Sequence, residues 1–339
     1  MVKEELIKIC FTFSFDNTLF IEHDLLGLRK EIVVKSEKAF LEFPREPLKD
    51  QIALQHTYSS PSSISHLLPE KHWGLKEEKH KESMIECCSI IFEIQGIIDF
   101  DLSKEQIGGD DIRNLSESAR DWFYSFNHWI WLLSSQIMNP IYPDPRVLHR
   151  KSNNIIVTAF SSDKTSVPTV FSGGRAIGIN DKVQASEQIV NRRLLDLAIC
   201  SVDKTPPIIL ELLASARMAA RRGDFRRSIV DAGTASELAL SDLIELDSSQ
   251  KLTLGGLISE VQKRDIPIPS DTKISLVDER NAAIHRGYIP SLDKVIRALE
   301  IAEYFVKMNI EDIIPLSELR PIYRPQRFDL VIIKNTQKK

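Results

Sequence analysis

Apolar and polar positions change rhythm along this chain, and each rhythm predicts a different kind of element. Through residues 1–105 the apolar residues alternate with polar ones or gather in short β-branched and aromatic blocks. These are FTFSF at 11–15, two blocks within LRKEIVVKSEKAFLEF at 28–43, and a longer one in CCSIIFEIQGIIDF at 87–100. Period two with Val, Ile and Phe enriched predicts strands. The polar stretch 55–81, with SSPSSIS and EKHWGLKEEKHKE, predicts a long loop between them. An antiparallel β domain, sandwich or partial barrel, is the expectation.

At 115–139 the period becomes helical. Trp122, Phe126, Trp129 and Leu133 recur at spacings of four, three and four, which puts them on one aromatic-heavy helix face behind a Ser116 or Ser118 cap. NPIYPDP ends that helix. NNIIVTAF and PTVF then predict two strands, and EQIVNRRLLDLAIC a further helix before the linker DKTPP. From 206 to 309 the pattern is helical throughout. Ile209, Leu212 or Leu213, Ala216, and Ala219 or Ala220 fall on one stripe. Asp224 reads as an N-cap before Ile229, Ala232, Ala235, Leu238 and Ala239. A short helix follows at 254–263, then TKISLVDERNAAIHRG closed by Gly287. Last comes a long helix with Leu292, Val295, Ile296, Leu299, Ala302, Phe305 and Val306 inward. Helices joined by short connections predict an antiparallel bundle. The fold class is therefore α+β: a β-rich domain at 1–105, a mixed segment with the aromatic helix at 106–203, an all-α bundle at 204–310, and a tail at 311–339.

Composition narrows the function classes. Hydrophobic residues at 42% and charged residues at 27% exclude a disordered chain. Lys and Arg total 44 against 48 Asp and Glu, so nucleic acid cannot be held by bulk positive charge, and any grip must be local. The N-terminal stretch lacks the pattern of a secretion signal, and runs such as 129–133 are too short to span a bilayer, which predicts a soluble cytoplasmic chain with no membrane partner. Cys10, Cys87, Cys88 and Cys200 follow no metal or disulfide spacing and are expected as buried free thiols.

Most chemical motifs are missing. The pairs Gly108-Gly109, Gly173-Gly174 and Gly255-Gly256 open neither type of phosphate-cradling loop, and no nucleophile elbow is present. His56, His66, His72 and His80 crowd the polar loop ahead of Cys87 and Cys88 without a ligand template, and a solvated loop explains them better. Loop and strand-end polarity accounts for Asp99, Asp101, Asp110 and Asp111. No metal and no cofactor is expected.

The segment that stands out is Glu279-Arg280-Asn281-Ala282-Ala283-Ile284-His285-Arg286-Gly287, at the end of the fourth of five bundle helices. Imidazole is the side chain whose ordinary titration lies in the physiological range, so His285 can take or give a proton at a ribose hydroxyl or a leaving oxygen. Arg280 offers a planar fork of donors to a phosphate gathering charge. Asn281, four residues before His285, shares its face and can orient the imidazole or hold the ribose. Arg280, five residues before His285, sits about 140° away around the helix. One helix therefore does not easily close both on one phosphate, a reason to want a second copy. Alternatively, His285 and Arg286 simply complement the dipole at the C-terminal end of the helix, with Arg280 paired to Glu279 or Asp278.

The run R-N-x-x-x-H-R-G, followed by a long amphipathic helix, resembles the HEPN domain family over residues 206–309, less than a third of the chain. The resemblance implies a metal-independent RNA endonuclease, with tRNA or mRNA as substrate, that dimerises through the bundle. The motifs of both copies, Arg280, Asn281 and His285, would then line one site. It also implies toxin–antitoxin or anti-phage defence, with an antitoxin or trigger protein as a further partner and the N-terminal half as restraint. Some members are instead non-catalytic dimerisation or nucleotide-binding modules. In that alternative the bundle only dimerises, and Trp122, Phe126 and Trp129 supply an interface.

Two further features concern the same bundle. Arg217, Arg221, Arg222, Arg226 and Arg227 straddle the first helix–helix turn and, with Arg286, form a candidate RNA-binding set. Residues 205–309 hold 14 basic and 15 acidic residues, so a solvated turn with local partners competes with that reading. Glu237 falls in the apolar stripe of its helix and needs a partner there; Arg280 is the expected one, as a structural pair.

Overall fold

Seven strands build one antiparallel sheet, and helices follow it. The computed structural model describes residues 6–46, 58–64, 73–76, 82–95, 110–134, 156–161, 170–171, 189–245 and 252–310. The strands are β1 (Leu6–Glu22), β2 (Arg29–Val34), β3 (Glu37–Glu42), β4 (Gly74–Lys76), β5 (Glu82–Gln95), β6 (Ile156–Ser161) and β7 (Val170–Phe171). Their order across the sheet is β2-β3-β5-β1-β6-β7, with β4 also paired to β5. β2 and β3 form a two-residue hairpin whose Lys35 and Ser36 both have positive φ, the conformation that lets such a turn follow the strand twist.

The sheet is open, not a sandwich or barrel among the described residues, because a helix rather than a second sheet covers it. That helix is α1 (Asp110–Ser134), and its Phe123 ring stacks on Phe13 of β1 with centroids 4.7 Å apart. Alternation places Ile9 and Phe11 on the same side as Phe13, and all three are buried. The opposite face is closed as well: Cys10, Thr12 and Ser89 are buried, and the Thr12 and Ser89 hydroxyls satisfy each other at 3.1 Å. β6 pairs with β1 from Ile7 to Thr12 and Val190 bridges to Ile21, so the sheet draws strands from beyond residue 105.

The aromatic face of α1 is spent inside the chain. Trp122, Phe126 and Trp129 are all buried, and Trp122 stacks on Phe126. The expectation that these rings serve a partner is corrected: they fill the space between the sheet and the helices that follow. Ser125 donates to the Val202 carbonyl, and His128 lies 3.6 Å from Glu211, joining α1 to its neighbours. Burial holds the His128 imidazole below its usual range, against a smaller opposing pull from Glu211.

The helical region contains α2 (Arg192–Ser201), α3 (Ile208–Arg221), α4 (Phe225–Leu243), α5 (Leu254–Lys263), a π-helical stretch (Lys273–Asp278) running into α6 (Glu279–His285), and α7 (Leu292–Ile310). The ends are capped by side chains and glycine, and Asp224 and Gly287 take the roles expected of them. Asn191, Asp224 and Thr253 accept from the backbone N–H of Leu194, Arg227 and Gly256, and Gly287 leaves α6 with φ +63°. α4 is the hub. Its Ala232, Gly233, Ala235, Ser236 and Ala239 are buried, and α3, α5, α6 and α7 all pack on it. The inward stripes follow the sequence pattern, with Ile209, Leu213, Ala216, Val295, Leu299, Ala302 and Phe305 buried. Cys10, Cys87 and Cys88 are buried free thiols as expected, whereas Cys200 is exposed. No helix among the described residues is long and apolar enough to cross a membrane.

Candidate functional site

The segment bearing Arg280, Asn281 and His285 begins irregularly and ends cleanly. At its start Thr272 donates to the Pro269 carbonyl, and Asp271 accepts two bonds from Arg297 of α7, at 2.7 and 2.6 Å. The π-helical stretch that follows adds a residue to the turn, which rotates everything after it by about 100° relative to a plain α-helix. At its end the Ala282 carbonyl accepts from the N–H groups of Arg286 and Tyr288. Ala283 is buried against the bundle, and its carbonyl accepts from Arg226 Nε at 2.9 Å.

Asn281 and His285 face solvent on the side away from α4, about 40° apart around the helix. Neither side chain has a hydrogen bond or ion pair among the described residues. Arg280 points the other way, across α4. Its terminal NH2 nitrogen donates to Glu237 Oε2 at 2.8 Å, the pairing expected from the sequence; the two side chains are 20% and 30% exposed. The arginine crosses α4 at Gly233, where an added Cβ would overlap Cδ and lie 2.9 Å from Nε. Glycine inside a helix costs roughly 0.5–1 kcal/mol relative to alanine. The Nε–H is buried without an acceptor among the described residues, a cost of about 1–3 kcal/mol.

The arginines singled out from sequence separate into different roles. Arg226, Gly233 and Glu237 share one face of α4, at intervals of seven and four residues, and all three meet α6. Arg226 thereby joins the motif helix, satisfying one of its last carbonyls and complementing its dipole. Arg222 and Arg286 are exposed. Arg227 is also exposed but turns to Asp231, 3.4 Å away one turn along α4. Arg221 ends α3, and its side chain lies outside the described residues.

Arg217 is a correction. Only 2% exposed, it donates Nε–H to one oxygen of Glu303 at 2.9 Å, and a terminal nitrogen lies 2.8 Å from the same oxygen. It cannot follow an RNA backbone, because the face of α3 that carries it is packed on α7.

One cluster beside the motif was not anticipated. Glu279 Oε1 accepts from Lys294 Nζ at 2.6 Å, and the same ammonium reaches Tyr288 Oη at 3.1 Å, tying the loop after His285 to α6 and α7. The hydrogen bond to Glu279 first, then that to Tyr288, holds the Lys294 ammonium above its usual range, so it stays charged. Glu279 is thus engaged by Lys294 rather than by Arg280. Lys294 lies fifteen residues beyond Glu279 on another helix, and no local spacing pointed to it.

Among the described residues no three His, Cys, Asp or Glu side chains are grouped to hold a metal ion. His56, His66, His72, His80, Asp99 and Asp101 lie outside the described residues. The arrangement therefore consists of an exposed imidazole and carboxamide side by side, a seated guanidinium around the helix from them, and a second guanidinium on the helix end. Such a set can exchange protons and bind anions. No family model, no curated protein and no solved structure matches the chain.

Proposed function

We propose that this chain is a metal-independent RNA endonuclease of the HEPN type, acting as a homodimer whose two motif helices share one site. The observation that carries the reading is the state of His285 and Asn281: side by side, exposed, and free of partners among the described residues on a helix whose arginine is held. Exposed and without a partner among the described residues, the imidazole has both ring nitrogens open to a ligand.

The chemistry balances without a cofactor. Neutral His285 takes the proton of a ribose 2′-hydroxyl, and the 2′-oxygen attacks the adjacent phosphorus. Charge gathers on the phosphate oxygens, where Arg280 donates. The bond to the 5′-oxygen breaks, and an imidazolium, that of the second copy, protonates the leaving oxygen. The products are a 2′,3′-cyclic phosphate and a 5′-hydroxyl. Arg226, Arg222 and Arg286 bind flanking phosphates of tRNA or mRNA. In a toxin–antitoxin or anti-phage setting, the N-terminal sheet would restrain the bundle until an antitoxin leaves or a trigger arrives.

One observation favours a second reading, a non-catalytic module that dimerises through the same face: Arg280 already has a carboxylate partner in Glu237. Incubating a tRNA and mRNA pool with the full chain in EDTA separates the two. Cleavage by wild type, lost in His285→Ala and in Arg280→Ala, is expected. Cleavage that survives both substitutions removes the assignment to this helix.

A further inference from the structure

Three departures from ordinary helix chemistry meet on one side chain. Gly233 stands inside α4 where alanine would serve the helix better, and Arg280 lies directly over it. The Nε–H of Arg280 is buried with no acceptor among the described residues. The helix carrying Arg280 leaves a π-helical stretch, which sets the direction in which residue 280 points. Each of these is tolerable alone. Together they fix where one guanidinium stands, and a purely structural ion pair requires none of them. With alanine at 233, Arg280 would simply take another rotamer and keep its donors in water.

We propose that Gly233 and Glu237 are positioning residues that seat Arg280 for the scissile phosphate, an inference that rests on the ribonuclease reading above. Gly233 provides the floor, letting the arginine stem lie flat across α4. Glu237 provides the stop, accepting one terminal N–H at 2.8 Å and fixing the plane of the fork. The side chain stays one-fifth exposed, so terminal donors remain for phosphate oxygens on the open side. Arg226, bound to the Ala283 carbonyl, holds the other end of α6 against α4, so the seat and His285 move as one body. A carboxylate beside the arginine lowers its net pull on anions. The seat should therefore act on turnover through geometry and leave affinity for RNA nearly unchanged.

Gly233→Ala in the full chain is the decisive variant, since it deletes no side chain and suits a helix. The expected result is a fall in kcat on the order of 100-fold, with KM and the unfolding midpoint unchanged or the midpoint raised. Glu237→Gln, which keeps an acceptor, should retain more turnover than Glu237→Ala. Wild-type turnover in Gly233→Ala overturns the proposal.

A second measurement separates its failure from that of the reading beneath it. With arginine side-chain nitrogen labelled, the Arg280 Nε–H should give a resolved, slowly exchanging resonance that Gly233→Ala abolishes. That resonance without cleavage by any form overturns the ribonuclease reading; cleavage without it overturns the seat.

Discussion

The bundle contains two arginine–glutamate pairs, chemically the same and physically opposite. Arg217 and Glu303 join α3 to α7 with side chains 2% and 7% exposed and two nitrogens on one oxygen. Arg280 and Glu237 join α6 to α4 through a single bond, with 20% and 30% of their side chains still in contact with solvent. In the first pair both charges have left water, and only close geometry repays the desolvation. In the second the arginine keeps access, and it is held by the shape of α4 as much as by its partner. Residue type therefore does not tell a scaffold arginine from one available to a ligand; burial and the number of donors already committed do.

Breaking each pair should expose that difference, and the largest effect belongs to the buried one. Arg217→Ala leaves Glu303 charged and unpartnered in the core and should cost about 3–5 kcal/mol by urea unfolding. Arg280→Ala should cost about 1 kcal/mol or less in the same assay. Equal losses would erase the distinction.

A smaller effect sharpens the contrast between Arg217 and the exposed arginines. Arg286→Ala should weaken RNA binding similarly across sequences and lower the salt slope by about one. Arg227→Ala should change that slope less, because Asp231 already neutralises much of its charge. Titrating labelled RNA by fluorescence anisotropy at several salt concentrations measures both.

The smallest effect lies away from the face, at Asp271 and Arg297. Hydrogen bonding to Arg297 holds the Asp271 carboxyl well below the usual carboxylate range. A depressed folded-state value means the pair stabilises above the unfolded carboxylate pKa, and that this contribution fades as pH falls toward the folded value. Both side chains are more than a third exposed, so Asp271→Asn should cost about 1 kcal/mol or less at pH 7. The gap from wild type should close below about pH 4, as thermal unfolding across pH would report.

Helical periodicity made the bundle legible. Ile209, Leu213, Ala216, Val295, Leu299 and Phe305 fall where a 3.6-residue repeat places them, and the lone glutamate in the α4 stripe correctly pointed to Arg280. Strand propensity located β1, β2, β3 and β5, but the sheet's outline depends on pairings between distant segments, such as β6 with β1, which no local pattern encodes. Trp122, Phe126 and Trp129 marked a face without saying what covers it. Arg217 stands beside a turn rich in arginine, but its spacing from Leu213 and Ala220 places it on the apolar face, as Glu303 lies among Ala302, Phe305 and Val306. Nothing in the sequence signals the π-helical stretch or the bond from Arg226 to Ala283, since both arise from how α6 packs on α4.

The shared site between two copies is tested most directly by mixing active and inactive chains. If one copy's imidazole takes the 2′-proton and the other's protonates the leaving oxygen, a dimer that holds one His285→Ala chain is inactive. Unfolding and refolding wild type with an excess of about ninefold His285→Ala should then cut RNA in EDTA at about a tenth of the rate per wild-type chain, since only wild-type pairs keep both histidines. An unchanged rate per wild-type chain would contradict a site built across the dimer.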